Sequence, residues 1–139
     1  MIGIVLISHG RLGQEMLRTA EAVLGVIENA AAVAIEGFEK VDVMKENVRK
    51  AIAGTDRGKG VLILTDMFGG TPSNLGLAFM EAGKVEVVTG CNLPMIIKLV
   101  SYRQLDKPLE EVASFICAYG QRNISVASEL LRSKKEGTK

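Results

Sequence analysis

Residues that would support nucleic-acid binding are scarce in this sequence. Tryptophan is absent, aromatic residues make up 4% of the 139 residues, and 17 basic residues stand against 16 acidic ones, for a net charge of +1. Binding to nucleic acid requires clustered basic charge, and single strands also require aromatic side chains on which bases can stack. We therefore expect no nucleic-acid partner.

Long hydrophobic segments and paired cysteines are missing as well. No apolar run approaches the roughly 20 residues that cross a bilayer, so we expect no direct membrane insertion. The two cysteines, Cys91 and Cys117, are far apart and have neither CxxC nor Cys/His spacing. Isolated thiols are typical of a reducing compartment, so we expect a cytoplasmic protein with no metal site and no cofactor.

Several nucleotide-binding and phosphotransfer motifs are also absent. "RGKG" at 57–60 lacks the spacing and the hydroxyl residue of a P-loop, and no GxGxxG follows the first apolar run. A response-regulator receiver would need acidic Mg²⁺ ligands where this chain has Ser8 and His9. Histidine phosphatases use a second histidine, and His9 is the only one here, so a two-histidine mechanism is excluded.

Short apolar runs recur along the chain and predict β-strands. The runs cover residues 2–7, 31–35, 61–64 and 85–88. Because they are nearly continuous in apolarity and do not alternate with polar residues, they indicate strands buried on both faces, as in a parallel sheet. Amphipathic segments between them predict helices. This alternation predicts a doubly wound α/β fold with helices on both faces of the sheet, in one domain over residues 1–139.

Start and stop signals predict the helix boundaries. Asp42 is the expected N-cap of the second helix. Thr71 and Pro72 are expected to begin the third helix, and Gly83 to end it. Two further helices are expected at 94–105 and 108–119, the second ending at Gly120.

The C-terminal tail allows two interpretations. Ile124 and Val126 alternate with polar residues as in a strand, whereas Leu130 and Leu131 suit a helix. Residues 133–139 are polar, and we expect them to be frayed.

A histidine and an aspartate follow two of the predicted strands. His9 comes after the first apolar run, and Asp66 comes after the third. In a parallel α/β sheet, ligands bind outside the carboxyl ends of the strands, at the point where the strand order reverses. If the strands are wound in the order 2-1-3-4, the reversal lies between the first and the third strand. His9 and Asp66 would then lie side by side.

The residue types at this place suit phosphoryl transfer to a histidine. A neutral imidazole, whose ordinary pKa is about 6.5, is a nucleophile near neutral pH. If Asp66 accepts a hydrogen bond from the N–H of one ring nitrogen, it would fix the tautomer and leave the other nitrogen free to attack. Gly69, Gly70 and Thr71 lead into a helix N-terminus, whose unpaired N–H groups and dipole attract phosphate. Gly10 keeps the turn after the histidine open for close backbone approach.

Each of these features has an ordinary structural explanation when it is taken alone. A single histidine at a strand end is more often a structural or turn residue. An aspartate before glycines more often caps the next turn, and "GGTP" is also a simple helix start. Their convergence at one predicted crevice favours a phosphohistidine site. The alternative is a binding or regulatory module that uses the crevice without turnover.

Three motifs, in order and with suitable spacing, make the chain resemble the mannose-family (mannose/fructose/sorbose) EIIA domain of the bacterial phosphoenolpyruvate:sugar phosphotransferase system. They are "IVLISHG" at 4–10, "GVLILTDMFGGTPSN" at 60–74 and "TGCNLPM" at 89–95. The middle motif, with its D-x-[aromatic]-G-G-[ST]-P-x-N pattern, is highly specific. The resemblance covers nearly the whole chain.

The resemblance implies a phosphoryl carrier. In this family the histidine that matches His9 takes the phosphoryl group from HPr, here expected at Nε2, and passes it to an EIIB partner. Asp66 would bind the Nδ1–H group, and the hydroxyl of Thr71 would lie at the phosphate. The family fold has the strand order 2-1-3-4. It also has a C-terminal antiparallel edge strand, expected near Ile124–Ala127, that two subunits of a homodimer exchange.

The resemblance also raises questions about partners. The chain ends without a linker to an EIIB domain, so we expect a separate EIIB or a regulatory relay without transport. The phosphotransfer subunit of dihydroxyacetone kinase shares the fold and an N-terminal histidine but not the "DMFGGTPSN" loop, and it is the alternative family. Docking of HPr calls for a shallow, partly apolar collar. The residues expected to form it are Met67, Phe68, Asn92, Pro94 and Met95.

Overall fold

Strands and helices alternate along the chain in the computed structural model, which describes residues 1–137. Within this range the strands are β1 (Gly3–His9), β2 (Ala30–Ile35), β3 (Val61–Thr65) and β4 (Val85–Thr89). The α-helices are α1 (Leu12–Leu24), α2 (Val41–Thr55), α3 (Thr71–Ala78), α4 (Leu93–Tyr102), α5 (Leu109–Arg122) and α6 (Ala127–Gly137). A 3₁₀ turn at Arg103–Leu105 follows α4. The four predicted strands are therefore all present.

The strands form one parallel sheet in the order β2-β1-β3-β4. In this sheet β1 lies between β2 and β3. From β1 the chain adds β2 on one side and then β3 and β4 on the other side, so the strand order reverses between β1 and β3. His9 at the end of β1 is in register with Ile35 of β2, and Ile7 is in register with Thr65 of β3. The predicted strand order is confirmed, and the reversal point coincides with the carboxyl ends of β1 and β3.

Two hydrophobic clusters cover the two faces of the sheet. On one face, Ile4, Leu6, Leu62 and Leu64 pack with side chains of α1, α4 and α5. On the other face, alternate residues of the same strands, such as Val5 and Ile63, pack with α2 and α3. Because both faces are covered, the strands have no polar alternation, which explains the continuous apolar runs in the sequence.

A buried arginine holds the amino end of the sheet, opposite the predicted site. Arg103 is 3% exposed, and its guanidinium donates hydrogen bonds to the carbonyl oxygens of Ile2, Glu28 and Asn29. Burial lowers the pKa of Arg103, and the charge of Glu28 partly opposes this effect. The carbonyls that precede β1 and β2 are thereby satisfied.

Three residues that were expected at helix boundaries have other positions in the structure, and the helices expected at 94–105 and 108–119 are found at Leu93–Tyr102 and Leu109–Arg122. Lys40 is the N-cap of α2, and Asp42 lies in the first turn, where its charge favours the helix dipole. The third helix ends at Ala78, and Gly83 lies in the turn that precedes β4. Gly120 lies inside α5, packed against a methionine side chain, and does not end the helix.

The C-terminal tail also corrects the prediction of an antiparallel edge strand. In the described part of the single chain, Ile124–Val126 lie outside any strand, and α6 extends from Ala127 to Gly137. Leu130 and Leu131 therefore belong to a helix, which agrees with the second of the two interpretations of the tail. Part of the tail expected to be frayed, 133–137, is helical, and residues 138 and 139 lie outside the described residues.

Candidate active site

The single histidine occupies the last position of β1, at the reversal point of the sheet. Its side chain is 52% exposed, although the preceding residue, Ser8, is buried. After His9 the chain leaves the strand at Gly10, which has φ +53° and donates its N–H to the carbonyl of Ile35 at 2.9 Å. The left-handed conformation favours glycine at this position. A rigid strand thus presents a half-exposed imidazole.

Asp66, the first residue after β3, holds the histidine in place. Its Oδ2 atom lies 2.8 Å from Nδ1 of His9 and also accepts the backbone N–H of His9 at 2.9 Å. Its Oδ1 atom accepts the N–H of Met67 at 2.9 Å. The carboxylate is therefore fixed by two backbone groups as well as by the ring. The structure brings together the two residues that the assumed topology placed side by side.

The protonation state of the pair follows from the charge of Asp66. Burial alone would raise the pKa of Asp66, but the hydrogen bonds from the backbone and ring of His9 and from Met67 more than offset this effect and lower the pKa. The carboxylate is therefore ionised near neutral pH and can only accept a hydrogen bond. Nδ1 of His9 accordingly carries the proton, and the lone pair of Nε2 in the neutral ring is free to attack a phosphorus atom.

The backbone of the loop after β3 lies against the free nitrogen. A Cβ atom added to Gly70 would lie 2.9 Å from Nε2 and 2.7 Å from Cε1 of His9. Gly70 has φ −115° and ψ 178°, an extended conformation that any residue can adopt. A glycine is therefore required here by the ring of His9 and not by the backbone conformation.

The N-terminus of α3 begins beside this contact. The N–H groups of Gly70, Thr71 and Ser73 have no acceptor in the part of the chain that the structure describes, and Pro72 has no N–H group. Thr71 is exposed, so its hydroxyl is accessible. Gly69 differs from the prediction, because its N–H already donates to Oγ of Ser73 at 2.9 Å. Of the three predicted donors, Gly70 and Thr71 thus remain available to an anion, whereas Gly69 does not.

The residues expected to form a docking collar divide into two groups. Met67 and Phe68 are 56% and 71% exposed, beside Asp66. Asn92 instead caps α4: it accepts the N–H of Met95 at 3.2 Å and donates to the carbonyl of Gly120 at 3.1 Å. Met95 as a docking residue is wrong, because it is 2% exposed and packs in the core. Pro94, in the first turn of α4, is half-buried.

Sequence reasoning missed four residues around the site. Ser8 and Ser73 are buried. Ser8 makes two hydrogen bonds to the backbone that follows β1, and Ser73 makes two to the backbone of the loop that follows β3. Leu12 and Phe38 are 51% and 87% exposed in segments that follow the carboxyl ends of β1 and β2. The sequence distinguishes none of these residues from ordinary loop and helix residues.

Two negative findings apply to the described residues. Within 1–137 no group of three or more His, Cys, Asp or Glu side chains is placed to hold a metal ion. None of the helices in this range is long and apolar enough to cross a membrane.

Comparison with known proteins identifies the family. The model of the family described as "PTS system fructose IIA component" matches residues 3–117. The chain is 30% identical over 124 residues to the "PTS system mannose-specific EIIAB component" of Escherichia coli K12, covering 88% of this chain and 38% of that protein. It is 27% identical over 136 residues to the "PTS system fructose-specific EIIA component" of Bacillus subtilis, covering 97% and 92% of the two chains. The chain thus spans less than half of the Escherichia coli relative and nearly all of the Bacillus subtilis one.

A solved structure of an EIIA component has the same fold. The crystal structure of the EIIA component from Streptococcus agalactiae superposes with a TM-score of 0.83 at 23% identity, covering 93% of this chain and 99% of that one, which shows a shared fold. The family match decides against the alternative family, the phosphotransfer subunit of dihydroxyacetone kinase. The chain belongs to the mannose/fructose EIIA family of the bacterial phosphotransferase system, whose members are phosphotransferase components.

Proposed function

We propose that this protein is a phosphoryl carrier of a sugar phosphotransferase system, in which His9 receives the phosphoryl group from phospho-HPr and delivers it to an EIIB partner. The observation that carries the proposal is the His9–Asp66 pair: Nδ1 lies 2.8 Å from a carboxylate oxygen, and Nε2 faces the loop that begins α3. Such a carrier would act in the cytoplasm, where phosphoenolpyruvate is made, and needs no cofactor.

The transfer step uses the groups at the site in defined roles. The Nε2 lone pair of His9 attacks the phosphorus, and the phosphorus–nitrogen bond to the imidazole of HPr breaks as the new bond forms. The donor imidazole leaves with the electron pair of the broken bond. Positive charge that develops on the ring of His9 is stabilised by Asp66, which keeps its hydrogen bond to the Nδ1 proton. The free N–H groups of Gly70 and Thr71 and the Thr71 hydroxyl are available to the phosphoryl oxygens.

The test is phosphorylation by a reconstituted relay. The protein is incubated with phosphoenolpyruvate, Enzyme I and HPr, and acid-labile phosphate is measured by intact mass. We expect one phosphoryl group on the wild type and none on His9→Ala, because no other histidine is present. Asp66→Asn should stay folded but transfer about 10²-fold more slowly, since the orienting carboxylate is lost. No label on the wild type with active HPr would favour the binding or regulatory module without turnover.

The exposed apolar residues beside His9 are proposed to dock HPr. Met67 and Phe68 adjoin Asp66, and both are more than half exposed. Phe68→Ala should slow transfer at low HPr concentration and leave the melting temperature unchanged. Val26→Ala is the matched control, because Val26 is 87% exposed but precedes the amino end of β2, at the opposite end of the sheet. A lowered melting temperature with normal transfer would assign Phe68 a structural role instead.

A homodimer is proposed on separate grounds. Among the described residues β4 pairs only with β3, so its outer edge is open, and a groove of about 520 Å³ runs between β4 and α5. The tail after α5 is exposed and displays Ile124, Val126 and Leu131 at 59–75% exposure. An open edge and an exposed apolar tail suit pairing between two copies. Light scattering should give the mass of a dimer at micromolar concentration, and a monomer mass there would refute the proposal.

A further inference from the structure

Two buried serines make matching hydrogen bonds in the two loops that flank His9. Oγ of Ser8 accepts the N–H of Gly13 at 2.7 Å and donates to the carbonyl of Gly10 at 3.2 Å. Oγ of Ser73 accepts the N–H of Gly69 at 2.9 Å and donates to the carbonyl of Gly70 at 3.0 Å. The two residues are 2% and 0% exposed. Each hydroxyl thus anchors the carbonyl of a glycine that adjoins the reactive histidine.

Anchoring a carbonyl also fixes the N–H group on the other side of the same peptide. A trans peptide is planar, and its C=O and N–H bonds point in opposite directions. The carbonyl of Gly10 therefore orients the N–H of Arg11, and the carbonyl of Gly70 orients the N–H of Thr71. Neither N–H group has an acceptor within residues 1–137. Both carbonyls are held toward buried hydroxyls, so both N–H groups point away from the protein interior.

We propose that Ser8 and Ser73 are positioning residues for phosphoryl transfer, which present the backbone N–H groups of Arg11 and Thr71 to the phosphoryl group on His9. This inference rests on the proposed function, because it assumes that His9 carries a phosphoryl group. Donors fixed before the reaction need no reorganisation when charge develops, which is how preorganised N–H groups accelerate such transfers. The serines touch neither the substrate nor the reacting atoms, and they act through the two peptides.

Further contacts hold the two anchored peptides in place. A Cβ atom on Gly13 would lie 3.1 Å from Oγ of Ser8, so α1 begins in close contact with that hydroxyl. The carbonyl of Gly70 accepts a second hydrogen bond, from the N–H of Asn74 at 3.0 Å. The Gly70–Thr71 peptide is therefore held from two directions, and a Cβ atom on Gly70 would contact the ring of His9.

The test loads His9 without protein partners. Phosphoramidate donates its phosphoryl group to Nε2: the phosphorus–nitrogen bond of the reagent breaks as the new bond forms, and ammonia leaves. Amide proton shifts are recorded by NMR before and after loading. In the wild type, the amide protons of Arg11 and Thr71 should move downfield on loading. In Ser73→Ala the shift of Thr71 should shrink and that of Arg11 should persist, and Ser8→Ala should give the reverse pattern.

Transfer kinetics supply the second measurement. We expect each serine variant to receive phosphate from phospho-HPr about tenfold more slowly at saturating donor, as loosening of one donor would predict. Ser101→Ala is the control, because that exposed hydroxyl also donates to a carbonyl, that of Lys98 at 3.0 Å, but lies in α4. It should transfer at the wild-type rate.

The outcomes separate the inference from the proposed function. Unchanged amide shifts of Arg11 and Thr71 in the loaded wild type would overturn the inference, as would serine variants with wild-type shifts and rates. A purely structural role would lower the melting temperature without altering the two shifts selectively. If the amides respond as expected but phospho-HPr transfers nothing, the proposed function fails and the positioning role stands. If neither phosphoramidate nor phospho-HPr loads His9, both fail.

Discussion

Gly70→Ala tests the geometry of the site with the smallest change of side chain. The added Cβ would lie 2.7 Å from Cε1 and 2.9 Å from Nε2 of His9. Carbon atoms in contact are normally about 3.5–4.0 Å apart, so the ring must move by about 1 Å. The backbone of Gly70 is extended, so alanine introduces no strain of its own.

The consequences for stability and for transfer should differ widely. The imidazole is 52% exposed and can rotate toward solvent, so the fold loses only the ring's hydrogen bond to Asp66, about 1 kcal/mol. Transfer depends on the position of Nε2, and a displacement of about 1 Å costs about 10²-fold in rate. We therefore expect a nearly normal melting temperature and a transfer rate at least about 10²-fold lower.

Single-turnover transfer from labelled phospho-HPr, quenched at millisecond intervals, measures the effect. Gly37→Ala is the matched control, because a Cβ at Gly37 would meet no atom within 4 Å. It should transfer at the wild-type rate. Wild-type transfer by Gly70→Ala would refute the argument that the ring of His9 lies against this loop during the reaction.

Three further predictions concern the forces that hold the fold and the site. Because the pKa of Asp66 is lowered in the folded protein, its stabilising contribution is complete above the ordinary carboxyl pKa of about 3.9 and is lost as the pH falls through the lower folded value. The unfolding free energies of the wild type and Asp66→Asn, measured with urea, should therefore converge only in that acidic range. Gly120→Ala should destabilise the protein in thermal melts, because the added Cβ would collide with the side chain of Met95. Gly54 is also helical, but a Cβ there would meet no atom within 4 Å, so Gly54→Ala should stabilise the protein by up to about 1 kcal/mol. Arg103→Met should cost about 3 kcal/mol of unfolding free energy by leaving buried carbonyls without donors, yet the folded fraction should transfer phosphate normally, since Arg103 lies at the amino end of the sheet.

Helix ends were less predictable than strands because tertiary contacts decide them. Val and Ile in continuous runs identify buried strands whatever surrounds them. Gly83 looked like a helix terminator, but α3 ends earlier, at Ala78, and Gly83 lies in the separate turn that precedes β4. Gly120 looked like another terminator, but it is a contact point that admits the side chain of Met95. A glycine signals conformational freedom or close approach, and sequence alone does not separate the two.

Within the site, the sequence identified side chains better than backbone contacts. His9 and Asp66 stood out by residue type and by their places after apolar runs, and the strand order then brought them together. The place of Met95 in the first turn of α4 could have been anticipated, because Asn92 with Pro94 two residues later is a helix start. The hydroxyl anchors at Ser8 and Ser73 could not, since serine is common in loops and its partners are backbone atoms.

The position of His9 constrains how a relay could work. Nδ1 is occupied by Asp66, so Nε2 is the one ring nitrogen able to hold a phosphoryl group, and one side of it is closed by Gly70. A donor and an acceptor that both react at Nε2 must therefore approach through the same opening, and under the proposed docking role Met67 and Phe68 would contact both. Under the proposed function the two partners then dock in succession and compete for one surface. Apolar side chains suit such a surface, because burial of apolar area is non-directional and tolerates two differently shaped partners, whereas fixed ion pairs would favour one of them.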